Sequence, residues 1–262
     1  MRLLKRSVDA RRKGNVHFVA TLGVTLDVAS DESEADVVHR IGDGDVRIGE
    51  PVPLPAIVSR AVAPKVRPVV VGTGPAGLFA ALVLARSGVR PLVIERGTAV
   101  GERIRAIDTF IRDGVLDPES NIQFGEGGAG TFSDGKLTTN TRDPRCRSVL
   151  ATLVDAGAAE EILWQAKPHI GTDQLTGVVR RLRTEIESLG GEVRFGTRLI
   201  DLVLDADDTL HEVAMQSDRG REEFGAETLI LATGHSARDI IGMLHLRGAR
   251  RLPSPGLSSP TA

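Results

Sequence analysis

The chain has 262 residues and a single cysteine, Cys146. One thiol closes no intramolecular disulfide, and no ligand residues surround it at metal-binding spacing, so a disulfide-stapled scaffold and a cysteine metal centre are both excluded. Long apolar runs are also missing. None approaches the roughly 18 residues that a membrane-spanning helix requires. The basic start, Met1-Arg2-Leu3-Leu4-Lys5-Arg6, lacks the apolar stretch of a secretory signal. A reducing cytoplasm is then the default compartment. Charge of one sign is lacking too: a net charge of −2 gives no footprint for nucleic acid or an anionic membrane as main partner. There is no internal repeat, no Ser–His–Asp arrangement and no metal cluster. Hydrophobic residues at 41% and charged residues at 26% suit a soluble chain with one large α/β domain or two modest ones.

Residues 1–60 read as a small α+β unit. Leu3, Leu4 and Val8 at near-helical spacing predict a helix over 3–13, whose basic residues form a solvated face or a nucleic-acid arm. Alternation from Val16 to Leu22 predicts a strand, and 32–40 another helix. Prolines at 51, 53 and 55 break regular structure, and 61–65 reads as a linker. The second unit, 66–247, opens with Val69-Val70-Val71, suited to a buried parallel strand. A helix over 76–86 and a strand over 91–95 complete a βαβ unit. Residues 121–140 read as loop, 147–165 and 173–189 as helices, and 192–195 as a third parallel strand. Three short segments between 198 and 226 read as a β-meander, and 228–232 as a last buried strand. The Pro/Ser-rich stretch 248–262 is expected to be disordered.

The sharpest motif is Gly72-Thr73-Gly74-Pro75-Ala76-Gly77. It follows a strand and opens a helix, and Glu95 ends the next strand. Gly72 permits the tight turn, Gly74 lets backbone approach a pyrophosphate, and Gly77 lets helix and strand pack closely. The helix N-terminus, with Pro75 and Ala76, offers free N–H groups to phosphates. Glu95 is placed to accept hydrogen bonds from ribose hydroxyls, which suits FAD or NAD and opposes the 2′-phosphate of NADP, and Arg96 follows it. Arg103 and Arg105 read either as phosphate ligands or as solvated side chains.

A second glycine-rich segment runs from Gly125 to Lys136. Gly130 to Lys136 fits GxxxxGK, the core of a phosphate-binding P-loop, so an NTPase is an alternative. Against it, Leu137 stands where a magnesium-binding hydroxyl belongs, and the β-branched stretch after it ends in proline, so no helix is expected there. Backbone lying against a flat isoalloxazine ring explains the glycines better.

Two resemblances sharpen this reading. Leu229-Ile230-Leu231-Ala232-Thr233-Gly234 resembles the strand that ends in Ala-Thr-Gly beside the cofactor in flavoproteins of the glutathione-reductase type. Asn121-Ile122-Gln123-Phe124 with the glycine-rich segment resembles the signature of a widespread bacterial family of FAD-dependent dehydrogenases. Lys167-Pro168-His169-Ile170-Gly171-Thr172, Gly190-Gly191-Glu192-Val193-Arg194-Phe195, the stretch from Ala232 through His235 to Asp239, and Lys5–Arg11 resemble further motifs of that family, so the likeness covers roughly residues 5–247. It implies FAD-dependent oxidoreduction on an unnamed substrate, with NAD(P)H as the expected reductant. The implied cofactor residues are Gly72, Gly74, Pro75, Ala76, Gly77, Glu95, Arg96, Arg103, Gly128, Gly130, Thr131, Ser133, Asp134, Gly135, Lys136, Ala232, Thr233 and Gly234. Lys136, His169 and His235 are the candidates to act on flavin or substrate. No cysteine pair follows the fingerprint helix, which excludes a disulfide reductase. Family members continue beyond this point, so a truncated chain is expected, and a non-catalytic remnant with weak or no FAD binding is a further alternative. The expected fold class is α/β: a Rossmann-like FAD-binding domain with an inserted β-meander, preceded by a small α+β domain.

Overall fold

The computed structural model describes residues 1–27, 32–49, 56–58, 64–132, 135–139, 141 and 143–248. Along the chain the elements are β1 (Arg2–Asp9), β2 (His17–Gly23), α1 (Glu34–Ile41), β3 (Val69–Val71), α2 (Pro75–Arg86), β4 (Leu92–Ile94), α3 (Val100–Asp113), α4 (Arg145–Asp155), α5 (Thr172–Ser188), β5 (Glu192–Arg194), β6 (Arg198–Leu204), β7 (Leu210–Ser217), β8 (Gly220–Gly225), β9 (Leu229–Leu231) and α6 (Arg238–Leu246). Two compact units form. One combines residues up to 58 with 131–181, and the other combines 59–130 with those from 182 on. The sequence reading kept 131–181 in one block with 66–247. The prolines at 51–55, most of the 61–65 linker and all but Gly248 of the expected tail lie outside the described residues.

In the first unit β1 and β2 pair antiparallel. The helix expected over residues 3–13 is therefore a strand. Its partners decide the matter: on its other edge the Arg6 N–H donates to the Trp164 carbonyl at 2.8 Å, and the Ala166 N–H donates to the Arg6 carbonyl at 3.0 Å. The Arg6 guanidinium lies 4.5 Å over the Trp164 ring and 5.1 Å over the Phe18 ring. Such cross-strand contacts outweigh a weak helical pattern. α1 matches its expectation and starts on a capping box, in which Ser33 and Asp36 bond each other's backbone N–H. The single helix expected over 147–165 is two pieces. Gly157, at φ +93°, ends α4, and a separate 3-10 turn spans Glu160–Leu163.

The second unit holds a parallel sheet in the order β5-β4-β3-β9 and an antiparallel sheet β6-β7-β8, the meander expected from sequence. Val69 and Val70 are fully buried and Val71 nearly so, as befits a parallel strand covered on both faces. Pro75 sits in the first turn of α2, where its fixed φ and missing N–H cost nothing. Val69, Leu92, Leu199, Val213, Met215 and Ile240 join the parallel strands, the meander and α6 in one core. α3 has no counterpart in the sequence reading. Its N-cap, Ala99, supplies no side chain, and the carboxylate of Glu126 accepts from the Val100 N–H at 2.7 Å instead. A cap brought from far along the chain leaves no local signal. Among the described residues no helix is long and apolar enough to cross a membrane.

Candidate functional site

β4 flanks β3 on one side and β9 on the other, so the strand order reverses at β3. In open α/β sheets the crevice beyond the strand ends at such a reversal is where ligands lie. The second unit has a cleft of about 350 Å³ there. Gly72, Gly74, Pro75 and Ala76 form one wall of it. Glu95 and Arg96 follow β4 into it, Gly128 enters from the second glycine-rich segment, and Ala232, Thr233, Gly234 and His235 line it after β9. The sequence reading missed Thr197, Arg198 and Leu199, which enter from the start of the meander, and Gln123, Phe124 and Ser236. Nothing local marks Thr197–Leu199, which the fold alone brings to the crevice, whereas Gln123, Phe124 and Ser236 lie inside the family-like stretches 121–124 and 232–239 without having been singled out as cofactor residues.

The fingerprint glycines answer different demands. A Cβ on Gly77 would overlap the Gly72 carbonyl oxygen, and one on Gly72, at φ +101°, would stand 2.5 Å from the Ala232 carbonyl oxygen. Both glycines serve the chain's own packing. Gly74 differs. Its φ of −65° is open to any residue, and a Cβ there would meet only Gly128 Cα, at an ordinary 3.9 Å. No side chain caps this end of α2, so its first N–H groups face the cleft without an intrahelical partner.

Glu95 is only 5% exposed. One carboxylate oxygen accepts from the Thr73 N–H and the Thr73 hydroxyl, both at 2.8 Å. The other accepts from the N–H groups of Gly97 at 2.9 Å and Gly125 at 3.1 Å. A carboxylate offers about four acceptor sites, so the protein itself occupies them, and a ribose hydroxyl must exchange with one of these donors. Arg96 donates to Asp239 at 2.5 Å and lies 4.7 Å over the Phe124 ring. Burial pushes the Asp239 carboxyl up, but the bond from Arg96, its positive charge and the backbone N–H groups of Ile240 and Asp239 together outweigh it and hold the group below the usual carboxylate range.

Arg103 requires a correction. Instead of reaching phosphates, it is fully buried and absent from the cleft wall. Its guanidinium donates to the carbonyls of Asn121 (2.8 Å), Ile122 (2.9 Å), Glu126 (2.7 Å), Gly128 (2.9 Å) and, at 3.3 Å, Gly125. Arg105 takes the solvated alternative, with its side chain 76% exposed. The glycines of this loop are explained differently as well. A Cβ on Gly97 would stand 2.6 Å from Gly125 Cα, one on Gly125 2.6 Å from Arg103 Cδ, and one on Gly128 3.0 Å from Gly74 Cα. They admit the chain's own backbone and one buried arginine. A Cβ on Gly130, by contrast, would meet nothing within 4 Å.

The remaining candidates fall elsewhere. Ser133 and Asp134 lie outside the described residues. Thr131 is buried in a 3-10 turn, Ala129–Phe132, with its hydroxyl unpartnered. Gly135, Lys136 and His169 belong to the first unit. There Lys136 and His169 form an antiparallel bridge, flanked by bonds from the Leu137 N–H to the Pro168 carbonyl (2.9 Å) and from the Ile170 N–H to the Gly135 carbonyl (3.0 Å). No α-helix opens after Lys136 among the described residues before α4, so the helix N-terminus that a P-loop requires is not formed there.

Comparison with known proteins places these features. The model of a family described as pyridine nucleotide-disulphide oxidoreductase matches residues 66–252. An uncharacterized protein of Clostridium beijerinckii is 44% identical over 243 residues, covering 93% of this chain and 44% of its own length. The aklavinone 12-hydroxylase RdmE of Streptomyces purpurascens is 33% identical over 147 residues, covering 53% of this chain and 27% of its own. The chain thus spans less than half the length of these curated relatives. Among solved structures, THI4 of Thermovibrio ammonificans aligns at 17% identity with a TM-score of 0.46, covering 71% of this chain and 64% of its own. A glycerol-3-phosphate dehydrogenase of Bacillus halodurans complexed with FAD aligns at 11% identity with a TM-score of 0.43, covering 68% and 36%. Both structural likenesses are weak.

Proposed function

The chain belongs to the pyridine nucleotide-disulphide oxidoreductase family, and on that premise we propose that it is the FAD-binding part of a flavin-dependent oxidoreductase. The observation that carries this reading is Gly74. Its backbone conformation and protein neighbours tolerate a Cβ, yet it has none, and the vacant volume opens on the cleft at an uncapped helix N-terminus. A missing Cβ there gives a diphosphate room to lie against backbone N–H groups and the positive end of the α2 dipole.

The donor set fits FAD. The uncapped α2 N-terminus would hold the diphosphate, and Arg96, Thr197–Leu199, Ala232, Thr233 and Gly234 would line the rest of the cofactor's cleft. Bound FAD supplies hydride and electron acceptance, with NAD(P)H the proposed reductant. His235, exposed on the cleft wall with Nε2 3.2 Å from the Ser236 hydroxyl, is the side chain best placed to donate toward a ligand in the second unit. With one cysteine, the chain offers no dithiol of its own, so the proposed chemistry is transfer to a small-molecule substrate and not disulfide exchange.

Gel filtration of the chain after incubation with FAD tests the reading. Visible flavin absorbance that co-elutes with the protein, and is lost in Gly74→Glu while the far-ultraviolet dichroism is kept, is the expected result. A folded wild-type chain that elutes colourless at saturating FAD refutes it.

A further inference from the structure

We infer that Arg103 and Glu126 are a reciprocal pair of positioning residues that set the second glycine-rich loop against the dinucleotide turn, so that the cleft wall is built before a ligand arrives. The inference deepens the FAD reading and, for its ligand, rests on it. The two residues exchange services between α3 and the loop. Glu126, fully buried in the loop, uses one carboxylate oxygen to cap the Val100 N–H at the start of α3 and the other to accept from Arg183 Nε at 2.7 Å. Arg103, one turn into α3, returns its guanidinium to the loop carbonyls on both sides of Glu126. With the carbonyls drawn inward, the loop meets the fingerprint turn: the Gly127 N–H donates to the Thr73 carbonyl at 2.8 Å, and Gly128 lies against Gly74.

Only an arginine performs this role. Its planar fork carries five N–H donors in fixed directions, whereas a lysine has three donors on one atom and cannot reach carbonyls spread from Asn121 to Gly128. Burial pushes the Arg103 pKa down to about 10, with Glu95 and Glu126 pushing it back up, so the cation persists at neutral pH. The loop amides serve as reporters because each is bonded within the unit: Gly125 to Glu95, Glu126 to the Thr98 carbonyl, Gly127 to the Thr73 carbonyl and Gly128 to the Gly125 carbonyl.

Hydrogen exchange on the FAD-free full chain, paired with stopped-flow FAD binding, tests the inference. In wild type the amides of residues 125–128 are expected to be protected without FAD. In Arg103→Lys they exchange fast while β3 and β4 amides keep wild-type protection, and FAD association slows by roughly tenfold with dissociation little changed, the signature of a site that must be ordered on binding. Loop amides that stay protected in Arg103→Lys overturn the inference. So does a loss of protection spread evenly over β3 and β4, which marks a merely structural residue. Should Arg103→Lys not fold, Glu126→Gln carries the same readouts. The exchange arm needs no cofactor, so a wild-type chain that takes up no FAD sinks the proposed function and leaves the loop-ordering result to be judged separately.

Discussion

The two glycine-rich turns of the second unit look alike in sequence and differ in what their glycines face. In the fingerprint turn, Gly72 and Gly77 are demanded by the protein's own backbone, while Gly74 is free of such demands and borders the cleft. In the 125–130 loop the order is reversed. Gly125 and Gly128 admit Arg103 and Gly74, and the open position is Gly130, which is not among the residues lining the cleft. Glycine density therefore signals close approach of backbone, and the approaching group is as often the same chain as a ligand. Asking what a Cβ would strike separates the two cases, and the contrast can be broken by substitution.

The largest effect is expected at Arg103. Arg103→Met leaves several buried loop carbonyls without their donor, while Glu126 keeps Arg183, and a loss of about 3–5 kcal/mol is expected in urea unfolding; a loss under about 1 kcal/mol means the loop does not depend on it. Gly77→Ala forces a methyl into the Gly72 carbonyl and is expected to cost about 3 kcal/mol or more, read from the same unfolding curves. Gly74→Ala is the counterpart, with stability within about 1 kcal/mol of wild type. Gly130→Ala is smaller still: thermal melting is expected to stay within about 0.5 kcal/mol of wild type, and a larger change reveals a close neighbour that the structure does not show. The smallest effect is the exposed Arg96–Asp239 tie. Because the Asp239 carboxyl sits below its ordinary 3.8, the stability it adds is present above pH 3.8 and is lost as pH falls through the depressed value. The melting difference between wild type and Asp239→Asn is therefore expected at neutral pH and is expected to vanish in strong acid.

What was legible in the sequence was what is local. Val69–Val71, the turn at Gly72, α2 and the meander all announce themselves within a few residues, and the structure forms them as expected. What was not legible depends on partners far along the chain. β1 is a strand because of β2 and residues 164–166, α3 begins where Glu126 caps it, and Arg103 turns inward because loop carbonyls gather around it. Even Glu95, correctly expected at the end of β4, is bonded by Thr73, Gly97 and Gly125 in ways that no spacing rule states. The cleft was legible from its fingerprint wall, whereas the meander wall at Thr197–Leu199 follows from topology alone.

The central claim is that Gly74 is kept open for a cofactor and not for the fold. The most direct measurement is FAD affinity, by quenching of flavin fluorescence, for wild type and Gly74→Ala at equal melting temperature. The account predicts near-equal stability with binding weakened by roughly 100-fold. Equal affinity in the two proteins would contradict it, because the missing Cβ would then make no room for FAD.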